Sequence, residues 1–340
     1  MFNISLLDLV ICTLSLVFIN YLLNFKSFLI DKPTSSKHKI LNKKNIALSG
    51  GSFLFLCLLY YNIKNNLNSE LIYFLSSLII LGFFSDKNII NSPKVRIITQ
   101  IIIFLIIIYN FDISINFSRI NYLDFLLSNN YFNKFFTIFC LLILVNGSNF
   151  IDGLNGLSTG YFLIILISIL GLKPVDGLFT MNIQFFYFLI IILTIFILFN
   201  FFEKNYMGDN GIYFLSALIG IEMITFSNSN VFYISPFYIV SLLWLPAFEN
   251  LFSIIRRIYK KTNVSEPDNN HLHALLFKRI LKKNKKTHAN NMASIFILIC
   301  CLPGFILSNI YHNQSLILGI IISINISVYL TSFYLLRNEK

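Results

Sequence analysis

With 340 residues, 56% of them hydrophobic and only 12% charged, the chain has about half the charged fraction of a soluble domain. Its apolar residues come in repeated blocks, which excludes a soluble globular protein and predicts a polytopic membrane protein forming one embedded domain, residues 1–340. The formal charge of +11 could point to nucleic acid, but the placement of the cations argues otherwise.

Taken in order, the apolar blocks predict about eleven transmembrane helices in an all-α bundle, each near the ~20 residues a bilayer requires. They cover 4–25, 46–63, 69–85, 96–110, 134–150, 157–172, 184–202, 211–226, 232–255, 291–309 and 314–336. The first lacks a basic leader and is expected to stay as a helix rather than be cleaved as a signal. Five cysteines, Cys12, Cys57, Cys140, Cys300 and Cys301, show no metal or disulfide spacing and read as small apolar fillers.

Polar motifs punctuate the blocks. Asp31-Lys-Pro33-Thr-Ser-Ser-Lys37-His38 follows the first, and Ser49-Gly50-Gly51 opens the second. Ser85-Asp86-Lys87 and Ser92-Pro-Lys94-Val-Arg96 follow the third. Asn146-Gly-Ser-Asn149-Phe-Ile-Asp152-Gly-Leu-Asn155-Gly156 joins the fifth to the sixth, and Met207-Gly208-Asp209-Asn210-Gly211 joins the seventh to the eighth. Pro246-Ala-Phe-Glu249 lies within the ninth, and Glu266-Pro267-Asp268-Asn-Asn-His271-Leu-His273 lies in the loop 256–290 beyond it.

Lysine and arginine set the orientation. Loops after even-numbered spans hold only Lys64, Arg119, Lys134 and Lys173; the rest of the 26 basic residues fall on the other side. The N-terminus is therefore expected outside and the C-terminus in the cytoplasm. All the motifs above then share the cytoplasmic face, where a basic surface meets anionic lipid and phosphorylated substrates without any need for nucleic acid.

Amides and a carboxylate at 146, 149, 152 and 155 recur at three-residue steps, so on a helix they follow one slowly drifting face. At membrane depth such groups are costly unless they line a wet cavity, and the glycines at 153 and 156 allow a turn or a close approach. Asp209, between glycines and before an apolar span, suits a hard dication that also takes substrate phosphates, or else caps the next helix. Asp86 beside Lys87 could be an interfacial ion pair. His271 and His273 would diverge on a helix but could share one phosphate in a loop; zinc is disfavoured for want of a third soft ligand. The run from Lys278 to Lys286 reads as a lipid-facing basic stripe. Asp8 and Glu222, inside spans, need partners that the sequence does not name.

Together these motifs resemble the polyprenyl-phosphate N-acetylhexosamine-1-phosphate transferases, the MraY/WecA-like enzymes of glycosyl transferase family 4. The pattern Asn-x-x-Asn-x-x-Asp-Gly-x-(Asp/Asn)-Gly is matched from Asn146 to Gly156, and Gly-Asp-x-Gly from Gly208 to Gly211. Asp31, Pro33, Lys37, His38 and the Gly50-Gly51 pair match the entry region; Pro246, Arg256, Arg257, Pro267, Asp268, His271 and His273 match the late loop. The resemblance implies that undecaprenyl phosphate attacks a UDP-N-acetylhexosamine with release of UMP, at a bacterial inner membrane and with Mg²⁺, or Mn²⁺ in its place. It implies Asp86, Asp152, Asp209 and His271 as the catalytic set, with Asp209, Asn149 and Asp152 at the metal. Lys37, His38, Lys94, Arg96, Asn146, Asn149, Asn155, Asp268 and His273 would bind substrate. Membrane lipid completes the partners, and a homodimer is left open.

Three positions depart from the family pattern. Ser85 replaces the first of two adjacent aspartates, Glu249 replaces an aspartate, and Ala274 replaces a further histidine. A phosphate monoester is largely ionised near neutral pH without a base, its second pKa being about 6. Ala274 and the short first loop favour the surface-polysaccharide branch (O-antigen, capsule and similar glycans) over the peptidoglycan branch. The competing readings are a diverged non-catalytic homologue, suggested by Ser85, and a secondary transporter, against which stand the one-sided motifs and the lack of an inverted repeat.

Overall fold

The computed structural model describes residues 5–31, 46–67, 70–172, 183–259, 261, 270–282 and 285–338. It opens with α1 (Leu6–Phe25), β1 (Ile30–Asp31) and β2 (Ile46–Leu48), then α2 (Gly50–Lys64), α3 (Glu70–Asp86), α4 (Pro93–Asn110) and the short α5 (Asn121–Leu127). The middle of the chain forms α6 (Asn130–Ile151), α7 (Leu157–Leu170), α8 (Ile183–Phe201), β3 (Asn205–Tyr206) and α9 (Gly208–Ser229). It closes with α10 (Pro236–Leu242), α11 (Trp244–Tyr259), α12 (Leu272–Leu281), α13 (Lys286–Ile310) and α14 (Ser315–Asn338).

Each expected span coincides with a helix or a helix pair, but not all are full-length. Among the described residues seven helices are long and apolar enough to cross a membrane: α1, α4, α6, α8, α9, α13 and α14. The ninth expected span is two helices, α10 and α11, bent by 71°, which make an eighth if they cross as one. The spans expected over 46–63, 69–85 and 157–172 are shorter helices of 15, 17 and 14 residues. The second loses its first residues to a strand, because Ile46–Leu48 pairs with backbone outside the helices.

Among the described residues the chain is otherwise nearly all helical, as expected, with one exception. A three-stranded sheet sits at one end of the bundle, with β1 antiparallel and β3 parallel to β2. Two- and three-residue strands carry no alternation long enough to read from sequence. The sheet sets the start of α2 beside the start of α9, since β2 leads into α2 and β3 into α9.

Helix α9 is the axis of the molecule. It packs against α2, α3 and α6, and 89% of its span is buried. With no hydrophobic drive between helices in lipid, close packing and polar ties hold such a bundle. Gly82 of α3 meets the Asp209–Asn210 backbone so closely that a Cβ there would lie 2.3 Å from Asn210 Cα. At the far end Asp8 finds its partners: it closes a capping box with Ser5 and accepts from Lys64 Nζ at 2.6 Å and Tyr60 Oη at 2.6 Å. Glu222 is partly buried on α9.

Candidate active site

The end of the bundle that carries the sheet collects the C-terminal ends of α3 and α6 and the starts of α4, α9 and α12, with the motif residues on them. A helix begins with unsatisfied N–H groups, and α9 takes its cap from another helix. Asp86, at the end of α3, accepts from the backbone N–H of Asp209 at 3.0 Å and of Asn210 at 3.1 Å, and from Asn210 Nδ2 at 2.7 Å. Asn210 Oδ1 in turn accepts from Gly51 N at 2.7 Å. Asp86 thus ties α3 to α9 and does not pair with Lys87, whose ammonium lies 3.8 Å over the Phe28 ring.

With its backbone held this way, Asp209 presents its carboxylate to a ring of donors. Ser85 Oγ donates to Asp209 Oδ2 at 2.5 Å and accepts from Arg96 Nη1 at 3.0 Å. Arg96 Nη1 also lies 3.4 Å from the same carboxylate oxygen, as does Tyr213 Oη at 3.5 Å. Asn149 Nδ2 reaches Tyr213 Oη at 3.5 Å, and one turn deeper Asn146 Nδ2 donates to the fully buried Gln100 Oε1 at 2.8 Å. Four helices therefore contribute to one polar layer around Asp209.

Asp152 caps α6 at the edge of this layer and accepts a hydrogen bond from Ser158. Burial, reinforced by the negative charges of Asp209 and Asp86 and opposed by Ser158, pushes its carboxyl up to about 8. The chain then turns through Gly156, in the left-handed region at φ 70°. Gly153 lies directly beneath His273: a Cβ there would sit 2.3 Å from His273 Nε2. So the 146–156 run and the late-loop histidines, more than a hundred residues apart in sequence, meet.

His271 is the N-cap of α12 and His273 lies in its first turn; their rings stack at 5.5 Å and 10°. His271 Nδ1 lies 2.7 Å from Glu249 Oε1, and Phe150 packs on the ring at 5.2 Å. Burial and the neighbouring His271 hold the His273 imidazole down at about 3, so it is neutral at physiological pH. Arg256 donates to the Asn270 carbonyl at 2.6 Å, and Arg257 lies over Phe150 at 6.0 Å.

Other expected residues stand apart. Lys94 is exposed in the first turn of α4, without a described contact to the cluster. Asn155 ties the turn to α13, through its N–H to Asn290 Oδ1 at 2.7 Å and its amide to Asn291 Oδ1 at 3.3 Å. Lys37, His38 and Asp268 lie outside the described residues. Sequence reading missed Gln100, Ser158, Tyr213 and Tyr329. The first and third stand four residues after Arg96 and Asp209, on the same helix faces, a spacing that could have flagged them.

Among the described residues no three His, Cys, Asp or Glu side chains come close enough to share one metal ion. That rules out a preformed soft-metal cage among those residues. It leaves room for Mg²⁺, which takes one or two carboxylates and completes its shell with water and substrate phosphates. The donor set fits such an ion: Asp209 and Asp152 offer hard oxygens, and the negative charges of Asp209 and Asp86 add to the burial that raises the Asp152 carboxyl.

Residues 68–227 match the model of a family described as glycosyl transferase family 4. The chain is also similar to a probable undecaprenyl-phosphate N-acetylglucosaminyl 1-phosphate transferase of Bacillus subtilis (strain 168), 28% identical over 197 residues. That alignment covers 58% of this chain and 54% of the relative, so it spans about half the relative's length. The matched segment contains Ser85, Asp86, Arg96, the 146–156 run and Asp209, the same residues the fold gathers at one end of α9, and over this segment the chain is similar to glycosyl transferase family 4.

Proposed function

We propose that the protein transfers a sugar 1-phosphate from a UDP-N-acetylhexosamine to undecaprenyl phosphate at the cytoplasmic face of a bacterial inner membrane. A phosphate oxygen of the lipid forms a bond to the β-phosphorus of the nucleotide sugar. The bond from that phosphorus to the bridging oxygen breaks, and UMP leaves with the electron pair. The observation that carries this reading is the meeting of Asp209, Arg96, Asn149 and Asp152 with the His271–His273 loop at one end of the bundle.

The chain's own groups match the demands of that step. Two anionic reactants must be brought together, and fixed charges aimed where charge develops contribute most. Arg96, from α4, offers a planar fork suited to phosphate oxygens. His271 and His273 present a stacked pair of imidazoles toward the same end. Asp209, Asp152 and Asn149 would hold Mg²⁺, with Mn²⁺ as its substitute. Bound there, the ion would neutralise charge on the diphosphate. Ala274 in place of a third histidine supports the surface-polysaccharide branch over the peptidoglycan branch.

Purified protein given Mg²⁺, undecaprenyl phosphate and UDP-GlcNAc is expected to release UMP, and chelation of the metal to stop it. Asp209→Asn should lower the rate by several orders of magnitude while the protein stays folded. Wild-type turnover by that variant would remove Asp209 from the metal site. A panel of UDP-sugars in the same assay identifies the donor.

A further inference from the structure

Glu249 is 1% exposed and Tyr329 is 2% exposed, yet Tyr329 belongs to the last helix, α14, far from every motif in sequence. The two are hydrogen-bonded: the phenol donates to Glu249 Oε2, while Glu249 Oε1 faces His271 Nδ1 at 2.7 Å. Both carboxylate oxygens are therefore used, one to anchor the side chain and one to hold the imidazole. The Leu272 backbone, next to His271 in the chain, also lies beside the phenol. Around it stand Phe248 at 5.1 Å, Phe252 at 5.8 Å and Trp244 at 6.5 Å, all edge-on to the Tyr329 ring. This aromatic box leaves the phenol little freedom to turn away.

We infer that Glu249 and Tyr329 are positioning residues for His271: together they fix the ring with Nδ1 toward the carboxylate, so that Nε2 is the nitrogen presented to a phosphate-bearing ligand. A histidine's free nitrogen is set by the hydrogen bond its other nitrogen makes. The departure at 249 gains a physical reason here. Glutamate is one methylene longer than aspartate, and its second oxygen meets the hydroxyl offered by α14. The last helix is thereby part of the site rather than only a membrane anchor. What Nε2 contacts rests on the transferase reading; the orientation of the ring does not.

The test separates the two. Protein labelled with ¹⁵N-histidine in detergent, with His271→Gln used to assign the signal, is expected to show His271 protonated at Nδ1. Glu249→Gln should change that signature, and Tyr329→Phe, which keeps the ring and removes only the hydroxyl, should broaden or shift it. An unchanged His271 signal in both variants overturns the inference, whatever the protein catalyses. In the UMP-release assay Tyr329→Phe should lower kcat about tenfold with little change in KM for the UDP-sugar, and have no further effect in a His271→Gln background. Additive losses would overturn the inference, because coupled residues lose their effects together. Failure of the wild type to release UMP from any UDP-sugar would sink the transferase reading and leave the nuclear signature to decide the orientation.

Discussion

Ser85 shows how one substitution reshapes a site without dismantling it. Where the family pattern this chain resembles has a carboxylate, Ser85 offers a hydroxyl that donates to Asp209 and accepts from Arg96. A second carboxylate here would compete with Asp209 for the same arginine; the hydroxyl bridges the two instead. Ser85→Ala should cost about tenfold in UMP release, the worth of roughly one hydrogen bond to a charged group, measured at saturating metal. Ser85→Asp tests the missing base, and unchanged activity would make such a base dispensable in this chain.

Asp152 yields a prediction of opposite sign for stability and function. Its carboxyl is held up at about 8, against an ordinary value of 3.8. A folded-state value raised this way makes its contribution to stability largest below the ordinary value and lost as pH rises through about 8. In metal-free buffer the thermal unfolding midpoint of the wild type should therefore fall between pH 4 and pH 8 relative to Asp152→Asn. That variant should be the more stable protein near pH 8 and a poor transferase. Parallel pH profiles for the two proteins would refute the assignment.

Among the elements, α9 and α3 are the pair on which the site's register depends. Asp86 reaches the start of α9 only because Gly82 lets the two backbones touch one turn earlier. Gly82→Ala forces them apart, at about 1–3 kcal/mol for overpacking, and should reduce activity more than it reduces stability. Gly153→Ala acts on a different contact: its Cβ would displace His273, so nucleotide-sugar affinity measured by calorimetry should weaken while the fold persists. Both glycines stood in the sequence, one unremarked in an apolar span and one in a motif, and neither revealed its neighbour. A glycine's purpose in close packing belongs to the partner backbone, which lies far away in the chain.

Helix types and approximate limits were legible because each apolar block is longer than a strand and bounded by polar residues. The bend between α10 and α11 was not, since Leu242, Leu243 and Trp244 continue the apolar run across it. The basic run Lys278–Lys286 reads as a lipid-facing stripe from sequence. Its first half, with Lys278 and Arg279, belongs to α12, which buries His273, Leu275 and Phe277 and packs on α13 and α14. Its first turn is fixed by the protein interior, and this is what holds the two histidines in one stack.

For the molecule as a whole, the distribution of lysine and arginine predicts which end faces the cytoplasm. A single cysteine at Lys261, in a background free of other reactive cysteines, should react with an impermeant maleimide only after the membrane is opened. One at Asn313, whose side chain and backbone receive Arg119 at the opposite end, should react in intact cells. The reverse pattern would invert the topology and place the site on the wrong side for a nucleotide sugar.

The amino-acid sequence alone determined that this chain is a multi-helix membrane protein and which polar residues are too costly to be incidental, because hydropathy and motif spacing are local properties. Only the tertiary structure decided what those residues touch. That Asp86 caps α9, that Ser85 joins Arg96 to Asp209 and that Tyr329 grips Glu249 are contacts between segments separated by up to 124 residues. Such contacts depend on how helices pack, and no window along a single chain contains the partner.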